Sequence, residues 1–319
     1  LIAIVPLKVN IIASMRILVL YYSQTGQLLD IITNCLKPLM TNPAINVDLV
    51  PIKTKHRFEF PWTNVGFFNL FPESVNGVPF ELEPIQVDLS KDYDLIVLAY
   101  TVWFLQPSIP ISSLLQHPDA LRIFKGKPVV TLIGSRNMWV LAQEKVKQHL
   151  HRLQANLVGN IVLTDRNINL VSIITIIRWM FHGKKEAFWI FPPAGILEKD
   201  IKDSQRFGAI LSTHLLQSDY IGMQNALNLQ GAVNINPSLL LLEHRATKLF
   251  KMYAKFISVK GDFHSTKRLG RVKLLSRLLP LGAFILSPIT TISTLVARIV
   301  KRKSLQEQIS YHSQNALRE

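Results

Sequence analysis

Residues 16–29 read Arg-Ile-Leu-Val-Leu-Tyr-Tyr-Ser-Gln-Thr-Gly-Gln-Leu-Leu. The apolar run from Ile17 to Tyr21 has the length and composition of a buried strand. It stops at Ser23-Gln24-Thr25-Gly26-Gln27, and apolar residues then recur at helical spacing: Leu28, Ile31, Ile32, Cys35, Leu36 and Leu39. Where a strand turns sharply into a helix, free backbone N–H groups and the positive end of the helix dipole converge, and Ser and Thr hydroxyls add donors. Such a corner is built to hold a phosphate through Ser23 to Leu28. It lacks a lysine, and its spacing is not that of a nucleoside-triphosphate loop. The same residues also read as an ordinary strand–turn–helix corner.

Working outward, further strands are expected at Asn46–Ile52, Tyr93–Tyr100, Pro128–Gly134 and Asn156–Leu163, with an amphipathic helix from about Val140 to Leu153. Strands alternating with helices predict a parallel sheet covered on both faces. Residues 56–84 interrupt the pattern with an irregular insertion rich in Phe and Pro, too long for a routine connection. Ligands of such sheets sit at the carboxyl ends of the strands, where the turns 23–27, 100–110 and 134–139 are expected to converge.

The chain has 319 residues, 48% hydrophobic and 18% charged, which excludes a disordered protein and permits a sizeable core. Its single cysteine, Cys35, excludes an intramolecular disulfide and a cysteine-rich metal site, and falls inside the first helix as a small buried residue. The net charge of +15 is concentrated: residues 245–303 hold 14 Lys and Arg against one acid, Asp262. Within them Leu278–Ala297 is uncharged. An apolar run bracketed by cations suits an anionic membrane surface better than nucleic acid. Pro280 and Pro288 weaken a spanning segment, so a helical hairpin lying in the interface is expected over 274–300, against the alternative of a basic tail packed on its own domain. Leu170–Phe181 is apolar on nearly every face but too short to span, and reads either as a buried helix or as a greasy wall for alkyl chains. Leu1–Ser14, ahead of Met15, reads as an upstream extension without assigned function.

Ser23-Gln24-Thr25-Gly26-Gln27 resembles the phosphate loop of flavodoxins, which holds the 5′-phosphate of FMN. Tyr100-Thr101-Val102-Trp103-Phe104 resembles the Trp-Phe flavin loop of flavodoxin-like quinone reductases, and Gly134-Ser135-Arg136-Asn137-Met138-Trp139 resembles their second flavin-side loop. An isoalloxazine ring is large, flat and mostly apolar, so aromatic walls suit it while loop N–H groups bind its polar edge. Trp103 and Trp139 also read as core or surface aromatics.

A narrower resemblance runs from about residue 15 to 200. It is carried by Tyr21–Gln27, Phe60-Pro61-Trp62-Thr63, Phe71-Pro72-Glu73-Ser74-Val75, Pro107–Ile111, Arg136–Trp139, Gln143–Val146, Ala155–Leu163 and Ile177–Phe181. These strings resemble the dialkylresorcinol condensing enzyme family, the flavodoxin-like proteins of dialkylresorcinol and aryl-polyene pigment clusters. The resemblance implies an α/β, flavodoxin-like doubly wound five-stranded parallel sheet at 15–165, followed by a helical, apolar and basic extension at 166–319. It implies FMN as cofactor, a ketosynthase of the same pathway as partner, and a hydrophobic dialkyl cyclic substrate. The reaction implied is aromatisation of a dialkyl cyclohexanedione to a resorcinol, and the apolar run bracketed by cations sets the expected location at the inner face of the cytoplasmic membrane. Arg136, Asn137 and His182 are the candidate catalytic residues, with His182 reading equally as a solvated surface histidine. The alternatives are a non-enzymatic docking or shuttling partner of the ketosynthase, or a quinone-reductase-like electron carrier.

Overall fold

The computed structural model describes residues 14–300 and 302–317, with the backbone alone over 286–300. The upstream extension therefore lies outside the described residues except for Ser14. Every expected strand forms. In chain order the first half comprises β1 (Met15–Tyr21), α1 (Gln27–Cys35), α2 (Lys37–Met40), β2 (Ile45–Pro51), α3 (Asn64–Asn69), α4 (Phe71–Asn76), β3 (Leu95–Trp103), β4 (Gln106–Pro107), α5 (Ile109–Leu114), α6 (Ala120–Phe124), β5 (Pro128–Ser135), α7 (Val140–Arg152) and β6 (Asn156–Thr164). The second half is helical: α8 (Asn169–His182), α9 (Glu198–Asp203), α10 (Gln205–Gln217), α11 (Met223–Leu229), α12 (Pro237–Ser258), α13 (Leu269–Val300) and α14 (Arg302–His312).

The five long strands are parallel in the order β2-β1-β3-β5-β6, and the two-residue β4 folds back antiparallel on β3. This is the flavodoxin-like order, with its topological switch point between β1 and β3. Alternate residues of each strand feed opposite cores. Ile17, Val19, Leu95, Val97 and Ala99 pack beneath α1, α10 and α11, while Leu18, Leu20, Ile96, Leu98 and Tyr100 pack beneath α5, α6 and α7.

Three local expectations are corrected. The helix expected over Leu28–Leu39 divides into α1 and α2, because Pro38 has no N–H to donate and disfavours continuation of the preceding turn. The insertion at 56–84 is not wholly irregular. It holds α3, capped by Thr63 Oγ1 accepting the Gly66 N–H at 3.1 Å, and α4, closed by Gly77 in the left-handed region. The hairpin expected over 274–300 is one continuous helix, α13. Its early turns are held by α12 and α8 through Val272, Leu275 and Leu279, so Pro280 does not turn the chain back. The expected apolar side chains beyond Ile285 lie outside the residues whose side chains are described. Among the described residues no helix is long and apolar enough to cross a membrane.

The core does not divide at residue 165. Phe207, Leu211 and Leu215 of α10, with Met223 and Leu227 of α11, belong to the same core as β1 and β3. Helix α10 lies so close to α1 that a Cβ on Gly208 would stand 1.8 Å from the Cys35 carbonyl oxygen. Elsewhere α12 and α13 pack on α3 and α4. There Arg268 is wholly buried, its guanidinium forked onto Glu73 at 2.7 and 2.9 Å and bonded to the Asn69 side chain at 2.8 Å. One cation of the basic segment thus serves packing rather than a surface.

Candidate functional site

The turn after β1 enters α1 through Gly26, whose φ of 86° lies in the left-handed region that glycine adopts without steric cost. Ser23 Oγ accepts the Leu29 N–H at 3.2 Å and so caps the helix from outside its first turn. Among the described residues, the backbone N–H groups of Gln24 to Leu28 meet no protein acceptor. They are oriented donors at a helix N-terminus, available to an anion. The Gln24 side chain braces the turn, donating to the Glu59 carbonyl at 3.0 Å and accepting the Trp62 indole N–H at 3.2 Å.

Beside this turn a cleft of about 260 Å³ opens at the carboxyl ends of β1, β3 and β5. Ser23, Gln24, Thr25, Gln27, Leu28 and Ile31 form one side, and Thr101, Val102, Trp103 and Phe104 a second. Gly134, Ser135 and Arg136 form its inner end. The remaining wall is apolar and comes from elements outside the three loops: Phe60, Trp62 and Phe67 of the insertion, Ile176, Trp179 and Met180 of α8, and Gly195 and Ile196. Trp103 is packed edge-on against Tyr22, Phe58 and Trp62 at 5.2–5.8 Å, which fixes its ring. The β3–β4 hairpin that presents it turns through Phe104 and Leu105, with φ of 48° and 65°. Two non-glycine residues in the left-handed region cost about 1–2 kcal/mol each, offset by the burial of Leu105 and the half-buried packing of Phe104 among aromatic rings.

Arg136 is the only ionisable side chain among the described cleft-lining residues. Burial pulls its pKa down to about 10, with the Asp165 carboxylate opposing the shift, so the guanidinium is charged at neutral pH. Arg136 Nη1 and Asn137 Nδ2 both donate to Asn169 Oδ1, at 2.8 and 2.7 Å. Asp165 in turn accepts the Ser172 hydroxyl at 2.7 Å and the Asn167 N–H at 2.9 Å, which ties the start of α8 to the end of β6. The Ser135 hydroxyl, which lines the cleft, is buried without a hydrogen-bond partner among the described residues.

Gly26, with no side chain to line the cleft, belongs to the turn through its backbone N–H. Four expected site residues lie elsewhere. Tyr100 points to the opposite core, its hydroxyl donating to Gln143 at 2.6 Å. Trp139 is 2% exposed and packed between the sheet and α7, so it does not wall the cleft. Asn137 is buried behind Arg136 and acts by holding Asn169. His182 is exposed at the end of α8, away from the cleft. Cys35 is buried, which pushes its thiol up to about 12 and leaves it inert at neutral pH.

The wall residues of the insertion and of α8 lie in the two segments whose aromatic and apolar density stood out in sequence. Gly195 and Ile196 carried no such signal. The structure brings them in through the Gln27 side chain, and a Cβ on Gly195 would stand 2.7 Å from both Gln27 Oε1 and the Trp179 ring.

No protein-family model matches the chain, and no curated protein matches it. Among solved structures it is similar to a flavoprotein in complex with FMN from Lactobacillus acidophilus NCFM, with 18% identity, 46% of this chain and 93% of that chain covered, and a TM-score of 0.35. It is also similar to oxidised Flavodoxin 1 from Bacillus cereus, with 11% identity, 62% and 98% coverage, and a TM-score of 0.33. The fold assignment rests on this chain's own strand order.

Proposed function

We propose that the cleft binds FMN and that the protein oxidises a dialkyl cyclohexane-1,3-dione to a dialkylresorcinol, receiving the dione from a ketosynthase of the same pathway. One observation carries this reading: a single cleft joins unpaired N–H groups at a helix N-terminus, an unpartnered Ser135 hydroxyl, a long apolar wall and one fixed cation. The residues fit the cofactor. The N–H groups of Gln24 to Leu28 suit its phosphate, Ser135 suits a polar edge of the ring, and Trp103 with its aromatic neighbours suits the flat apolar face. FMN supplies, when bound, a two-electron acceptor, and loss of two hydrogens is the change that converts the cyclic dione to the aromatic diol.

The chain's own contribution follows from Arg136. A 1,3-dione is a carbon acid strong enough to lose its proton near neutral pH, so a cleft with no histidine or carboxylate among its described lining residues is matched to it. The Arg136 guanidinium pairs with the resulting enolate oxygen, and Asn169 holds that guanidinium in place. Phe60, Trp62, Ile176, Trp179 and Met180 cover the alkyl chains and exclude water from the ring. Incubating the protein with FMN and a synthetic dialkyl cyclohexane-1,3-dione is expected to yield the resorcinol. A protein that takes up no FMN, or takes it up and leaves the dione unchanged, overturns the reading.

A further inference from the structure

Phe188 and Phe191 exchange backbone hydrogen bonds at 3.1 and 2.8 Å, closing a tight turn, and their rings stack at 5.1 Å. At its apex Trp189 is 89% exposed and Ile190 75% exposed. Trp189 also holds a φ of 49°, a left-handed conformation that costs a non-glycine residue about 1–2 kcal/mol. The base of the turn is braced: the Arg178 guanidinium lies 4.4 Å over the Phe188 ring and pairs with Glu186 at 2.6 Å. A braced turn that holds Trp and Ile in water, against backbone preference, is shaped for something that covers them.

The surrounding charge identifies the cover. Exposed Lys184 stands between the end of α8 and the turn. The last turn of α8 abuts α13, with Phe181 packed on the cluster of Leu275 and Leu279. On a face turned away from Leu275 and Leu279, α13 exposes an apolar stripe, Leu274, Leu278, Leu281 and Ile285, beside exposed Lys273 and Arg277. Trp with an aliphatic neighbour at an apex, flanked by cations, matches the headgroup boundary of an anionic bilayer. We infer that the Trp189–Ile190 turn inserts into an anionic membrane surface, with exposed Lys184 next to it and Lys273 and Arg277 of α13 supplying cations to the headgroups. Because α8 also lines the cleft through Ile176, Trp179 and Met180, docking brings the cleft's apolar wall to the source of a lipid-like substrate. Only that last consequence rests on the proposed function.

Flotation of the full chain with phosphatidylcholine vesicles, with and without phosphatidylglycerol, tests the inference. The wild-type protein is expected to float with the anionic vesicles only, less at high salt, and W189S/I190S to bind about tenfold or more weakly at an unchanged melting temperature. Brominated lipid is expected to quench wild-type tryptophan fluorescence, and W189F to lose that quenching. Wild-type protein that ignores anionic vesicles overturns the inference, as does W189S/I190S binding like wild type. So does a double variant that loses self-association without lipid, which assigns the turn to a second copy of the chain. Vesicle binding needs neither FMN nor dione, so its failure and the failure of the oxidation assay are separate results.

Discussion

The Gln27 side-chain amide clasps both backbone groups of Ile196, Nε2 donating to the carbonyl at 3.1 Å and Oε1 accepting the N–H at 3.2 Å. The first turn of α1 is thereby fastened to a loop 169 residues away, and the clasp closes one side of the cleft. Gln27→Leu leaves two buried backbone groups of Ile196 unpaired, at about 1–3 kcal/mol each. The expected outcome is a lower melting temperature together with an FMN dissociation constant raised about tenfold, read by quenching of flavin fluorescence. Destabilisation with unchanged FMN affinity would separate the clasp from the phosphate turn.

Arg136→Gln removes the cleft's cation but keeps a hydrogen-bond donor toward Asn169. Turnover of the dione is expected to fall about 10²-fold, the size of losing one donor to a developing oxyanion, with FMN uptake little changed. Asn169→Ala frees both Arg136 and Asn137, so it is expected to lower turnover less than Arg136→Gln does. Single-turnover flavin reduction measures both.

How far the sequence disclosed this site depends on the range of the contacts involved. The strands were legible because Ile17–Leu20 and Leu95–Tyr100 are buried on both faces and read as uninterrupted apolar runs. The turn Ser23–Leu28 was legible because its chemistry is local. Trp139 reads as flavin wall or as core aromatic because adjacency to a loop does not tell which side of the sheet a side chain takes, and the structure turns it into the core under α7. Of the two readings of His182 the structure takes the solvated one, because α8 faces the cleft with Ile176, Trp179 and Met180 while the helix end emerges into solvent. Ile196 was invisible because the contact that brings it to the site spans half the chain.

Glu243 on α12 accepts the N–H groups of Val140 and Leu141 at 3.3 and 2.9 Å, capping α7 from another element. Burial outweighs those bonds and pushes its pKa from 4.5 up to about 7. Between those two values the native state holds a proton that the unfolded chain has released. This group's contribution to stability is therefore full below about pH 4.5 and is lost as the pH rises through about 7. Denaturant melts across this range are expected to show stability falling with pH in the wild type, and a flatter profile for Glu243→Gln. Parallel profiles would contradict the assignment.

Arg268, in the turn that leads into α13, and Glu73 form the buried ion pair that joins this part of the chain to the aromatic insertion, and so holds Phe67 against the cleft through α3. Removing one partner strands a buried charge. Arg268→Leu is expected to cost about 3–5 kcal/mol, and Glu73→Leu a similar amount. Removing both strands nothing, so the R268L/E73L double variant should recover much of that loss, although Asn69 forfeits its bond from Arg268 Nε. Chemical denaturation of all four proteins closes the cycle. Additive losses would mean that the two side chains act independently, with no coupling across the joint.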